Sequence, residues 1–114
     1  MAPNARLYNW DFNTDIQVEM AVEIPAKNLL VCSHSYGFSF SVACALTNSL
    51  LSYESRSRGT DININNNPYH LHVHSAGNSG GSCTGGFHTI TGSGKPAKNN
   101  IVVSNVTTTE AISG

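Results

Sequence analysis

The chain carries little charge, and what it carries is balanced. Six basic and seven acidic residues among 114 leave a formal net charge of −1. There is no basic block, so nothing points to nucleic acid. No apolar run approaches membrane-spanning length. The opening residues, MAPNARLYNW, have neither a basic start nor an apolar core, so no targeting signal is expected in this chain. The cysteines are Cys32, Cys44 and Cys83, an odd number at irregular spacing, which excludes a disulfide framework and a paired-cysteine metal site. No repeat is visible. Hydrophobic residues still make up 39%, too many for a disordered chain. The length suits one small domain, or part of a larger one.

Ala5–Phe12 is short and rich in aromatics, and reads as a first strand. Thr14 and Gln17 have the spacing of a capping box, with Thr14 as N-cap. Ile16, Met20 and Ile24 recur every four residues and form one apolar stripe, while Glu23 can meet Lys27 at i, i+4. The pattern predicts an amphipathic helix from about Asp15 to Ile24. Pro25 should end or kink it, because the residue before a proline is pushed out of helical space. Asn28 is the helix stop. The apolar run Leu29–Cys32 fits a strand buried on both faces.

Phe38–Tyr53 fits strand or helix. Ser57–Asn67 is polar, a helix end followed by an Asn-rich loop that Pro68 closes. A strand is expected over Tyr69–His74, loop over most of Ser75–Gly94, and a last strand over Ile101–Val106. This alternation is the α/β pattern, with parallel strands and flanking helices.

Two strands run into small-residue turns. Leu29–Cys32 leads to Ser33-His34-Ser35-Tyr36-Gly37, and Tyr69–His74 leads to Ser75-Ala76-Gly77-Asn78. Open α/β sheets present functional groups at the carboxyl ends of their strands. Alanine and glycine let another backbone approach, and the Asn78 amide offers two hydrogen-bond donors without charge.

These motifs resemble a family. Ala2-Pro3-Asn4-Ala5, Ser33-His34-Ser35-Tyr36-Gly37, Ser75-Ala76-Gly77-Asn78 and Ala97-Lys98-Asn99-Asn100-Ile101-Val102-Val103 stand in the order and at spacings similar to those of a subtilisin-like serine peptidase of the Bacteroidetes-like type. The resemblance spans most of the chain. It implies part of a subtilisin-like parallel sheet, an incomplete domain, with residues 1–114 lying between the catalytic His and catalytic Ser motifs.

The resemblance also assigns roles within serine endopeptidase chemistry through an acyl-enzyme. The Asn78 side chain would donate to the oxyanion. Ser35, Tyr36 and Gly37 would bind an extended peptide or protein substrate. Ser75, Ala76 and Gly77 would wall the primary specificity pocket. The Asp and His motifs are expected before residue 1 and the Gly-Thr-Ser motif after residue 114, so this chain alone should be inactive, and Met1 would be an internal methionine. The implied partner is the remainder of the parent peptidase, which most of the family exports, to the medium or the cell surface. No cofactor is implied for this chain, although the parent can carry calcium. Family topology further implies that Ala5–Phe12 and Leu29–Ser33 are not neighbours. The strand bearing the catalytic Asp would lie between them, and its removal would leave a slot of roughly 10 Å.

Two rival readings start elsewhere. His70, His72 and His74 alternate and would share one face of a strand, where three imidazoles and a water can hold zinc; Cys83 and His88 could add ligands. No acidic partner that would orient such ligands is evident, so zinc is the disfavoured reading. The other rival is a non-catalytic peptide-binding module. His34 reads as a packed or hydrogen-bonded residue and Trp10 as core. Asn105-Val106-Thr107 matches a glycosylation acceptor but overlaps an expected strand end.

Overall fold

The apolar stripe forms as its spacing requires. Helix α1 spans Ile16–Lys27, with Met20 and Ile24 buried and Ile16 packed beside them. The structure, a computed structural model, describes residues 3–11, 15–37, 52–78 and 94–105. Asp15 rather than Thr14 caps α1: its side chain accepts the Gln17 N–H at 3.1 Å, and Thr14 lies outside the described residues. The helix also runs past Pro25 to Lys27. A proline this near the end removes only one donor, and a chain about to leave the helix tolerates it. Asn28 stops the helix in the left-handed region, at φ 51°, and the Leu29 N–H donates to the Ile24 carbonyl at 3.0 Å. Asparagine is among the few side chains that occupy this region readily.

Three short strands follow: β1 (Val31–His34), β2 (Leu71–Ser75) and β3 (Ile101–Val103). They form a parallel sheet in the order β1-β2-β3. With the helices, this is the expected α/β fold. Register pairs Cys32 with His72, His34 with His74, and Val73 with Ile101. Even-numbered residues of β1 and β2 therefore share one face, with Val31, Val73, Ile101 and Val103 on the other.

Three expectations are corrected. Residues 5–11 pair with no strand; there Tyr8 stacks on Trp10, with ring centroids 6.0 Å apart. Strand-forming side chains make no strand until the backbone comes within about 4.8 Å of another strand. The Leu29–Cys32 run starts its strand two residues later and is buried on one face only, with Val31 59% exposed and Cys32 8%. Among the described residues, the helices cover just that one side. Finally, a full helix α2 (Ser55–Asn66) stands where a helix end and loop were expected.

Helix α2 buries a stripe of small polar residues, Ser57, Thr60 and Asn63. They meet α1 through Gln17. The Asn63 amide donates to the Gln17 backbone carbonyl at 3.1 Å, and Thr60 Oγ1 lies 3.4 Å from Gln17 Oε1. Gly59 permits this approach, since a Cβ there would sit 3.0 Å from Gln17 Cγ. Segment 94–100 then docks on α2. The Lys98 N–H donates to Asp61 at 2.9 Å, and Tyr53 donates to the same carboxylate at 2.8 Å. Residues 38–51 and 79–93, with Cys44, Cys83 and His88, lie outside the described residues.

Candidate functional site

Because β1 and β2 are parallel and pair as far as His34 and His74, the segments that follow leave side by side. Ser35, Tyr36 and Gly37 leave β1 immediately beyond the His34–His74 pair, and Ser75, Ala76, Gly77 and Asn78 continue from that point on β2. Gly77 has φ 116°, a conformation that side-chain-bearing residues rarely adopt. Asn78 lies exposed at the bend, Ala76 is buried, and Ser35 and Gly37 are exposed.

The turn is held from two sides. The Ala76 N–H donates to the Val103 carbonyl at 2.8 Å, and Lys95 Nζ lies 3.5 Å from the Ala76 carbonyl. Lys95 is only 2% exposed, and burial lowers its pKa. Gly94 precedes it at φ 85°, where a Cβ would stand 2.8 Å from Thr60 Oγ1. The six residues expected to bind substrate, and Asn78, the expected oxyanion donor, thus sit at one end of one sheet.

Beneath these turns lie the histidines. His34, His70, His72 and His74 are all at most 6% exposed. His70 turns its Nδ1 to the Leu29 carbonyl at 2.7 Å. A carbonyl only accepts, so Nδ1 carries a proton and does not serve as a metal ligand there. The remaining three gather, and their ligating nitrogens lie within 4.8 Å of one another. His34 Nε2 is 2.8 Å from His72 Nδ1, and His34 Nδ1 is 2.6 Å from the Tyr36 hydroxyl. The His34 ring stacks on that of His74 at 4.5 Å. His72 Nε2 and both nitrogens of His74 are buried without a partner.

Burial is the main cause of the charge state here. It holds His34 and His74 down to about 4 and His72 to about 3. Repulsion adds to this: His70 acts on His34, the other three rings on His72, and His34 and Lys95 on His74. Burial also lifts the Cys32 thiol to about 11 and the Tyr36 hydroxyl to about 12. His34, His72 and His74 are therefore held neutral at pH 7, with lone pairs available.

So the structure brings His72 and His74 together with His34, while His70 faces a backbone carbonyl. Sequence reasoning grouped His70 with the other two because all three share a strand face. The missed signal was register. If both strand-end motifs finish level, His34-Ser35 must stand beside His74-Ser75.

A cleft of about 560 Å³ lies on the other side of β1. Residues 6–11 form one wall, β1 and Tyr36 the other, with Ile16, Glu19 and Met20 between them. Among the described residues, no strand pairs with this edge of β1. No known family, curated protein or solved structure matches this chain.

Proposed function

We propose that this chain is an inner piece of the catalytic domain of a subtilisin-like serine endopeptidase, one that supplies the oxyanion donor and the substrate-binding strand ends. The observation that carries this reading is the juxtaposition of Ser35-Tyr36-Gly37 with Ser75-Ala76-Gly77-Asn78 at the carboxyl ends of two paired parallel strands. An extended peptide laid along the turn after β1 meets backbone donors and acceptors there, as an added strand would. Its scissile carbonyl is then within reach of the turn after β2.

Attack on that carbonyl places negative charge on its oxygen. Asn78 would meet the charge with a fixed amide donor, which needs no rearrangement during the reaction. Gly77 presents no side chain to the substrate. The cleft beside β1 supports the same reading, because it lies where the resemblance puts a further strand, between residues 6–11 and β1. The nucleophile and its base would come from the rest of the parent chain.

The test is Asn78→Ala in the parent peptidase. Turnover should fall roughly 10²–10³-fold with KM little changed, since the donor acts mainly in the transition state. A change confined to KM would remove Asn78 from the oxyanion site.

A further inference from the structure

The described part of the molecule has a slender apolar core: Met20, Ile24 and Cys32, flanked by Ile16 and Leu29. Next to it, where more apolar side chains would be expected, stand three imidazoles from two strands. Burying a polar nitrogen without a partner costs about 1–3 kcal/mol. His72 Nε2, His74 Nδ1 and His74 Nε2 are all in that position. Such a cluster calls for an occupant that accepts several nitrogen lone pairs at once.

We propose that His34, His72 and His74 form a zinc site that ties the end of β1 to β2. The donor set selects the ion. Three neutral imidazoles, with no carboxylate among them, suit a borderline cation such as zinc and offer nothing to calcium or magnesium, which require oxygen. The geometry is close. With zinc–nitrogen bonds of about 2.0–2.1 Å, donor atoms around a tetrahedral ion stand roughly 3.3 Å apart. The nitrogens here lie within 4.8 Å of one another and on adjacent strands in fixed register, so rotation of the rings closes the site without moving the sheet.

Tyr36 completes the design. Its hydroxyl, 2.6 Å from His34 Nδ1, holds the ring so that Nε2 faces the other two histidines. Ligand histidines are commonly fixed through the nitrogen that does not bind the metal. Among the described residues no fourth donor is grouped with them, and the fourth position of the tetrahedron is assigned to a water. The three ligands lie outside the proposed substrate-binding turns, which share only Tyr36 with the site, and zinc binding is read without substrate, so it survives or fails independently of the peptidase reading.

Zinc is titrated by calorimetry into the full chain after chelator treatment, with cobalt as the spectroscopic reporter. A single ion per chain and the intense visible bands of four-coordinate cobalt are expected. His34→Gln, His72→Gln and His74→Gln should each weaken binding by about 100-fold or more, and Tyr36→Phe by about tenfold. His88→Gln should change it by less than about threefold. Circular dichroism identifies any histidine variant that fails to fold, in which case Tyr36→Phe, which keeps the ring, and His88→Gln carry the comparison. Absence of stoichiometric binding, binding unchanged by Tyr36→Phe, or loss on His88→Gln would overturn the proposal.

Discussion

The two faces of the sheet invert the usual order. The face beneath the helices carries Cys32, His34, His72 and His74, all buried, and three of the four are polar. The opposite face carries Val31, Ile101 and Val103, all apolar and 47–59% exposed, with Val73 between them. A free-standing domain would bury the valines and isoleucine and solvate the imidazoles. The inner face makes sense if its nitrogens bind something. The outer face makes sense if more protein lies against it, as a parallel sheet normally has cover on both sides. One face thus fits the proposed ion, and the other offers apolar surface to further protein.

The comparison predicts unequal responses to mutation and acid. The largest effect should come from the inner face. Ile24, 2% exposed, anchors α1 to the core, and Ile24→Ala should cost about 2–5 kcal/mol in urea unfolding. A loss below 1 kcal/mol, by the same scale, would mean that the helix is not what covers this face.

Acid acts on the same face, ring by ring, and each ring should count for less than Ile24. His34, His72 and His74 have folded pKa values of about 4, 3 and 4, below the 6.5 of a free imidazole. The unfolded chain then binds more protons than the folded one as pH falls through 6.5. Stability is fully present above that pH and is lost progressively down to about pH 4. Between pH 7 and 5, with chelator present, each ring should contribute a loss of about 1–2 kcal/mol, read by thermal melts. A flat profile would show that the rings are hydrated.

The outer face should respond least. Val31→Thr with Val103→Thr should shift stability by no more than about 0.5 kcal/mol, because both side chains are already half exposed. The same pair should reduce self-association in sedimentation, since an exposed apolar sheet face invites contact with other chains. A large loss of stability would instead reveal cover from within this chain.

Much of this arrangement was legible in the residues. The four-residue spacing of Ile16, Met20 and Ile24 marked α1, and the small-residue turns after His34 and His74 marked the strand ends that lie together. Helix α2 was not legible. Its sequence, SRGTDININN over most of its length, is poor in strong helix formers, and tertiary contact with Gln17 stabilises it rather than intrinsic propensity. The first strand failed for a different reason: residues 5–11 have strand-forming side chains but stand across a cleft from the free edge of β1 instead of pairing with it. The histidine cluster depends on register between two strands, which no single segment encodes.

Under the proposed function, these 114 residues are an inner part of a peptidase domain. Sequencing the messenger RNA on both sides of the codons for Met1 and Gly114 tests it most directly. The account predicts an open reading frame in both directions, with the catalytic Asp and His motifs upstream and a Gly-Thr-Ser-Met motif downstream. Stop codons close to both ends, or an extended frame without those motifs, would contradict it.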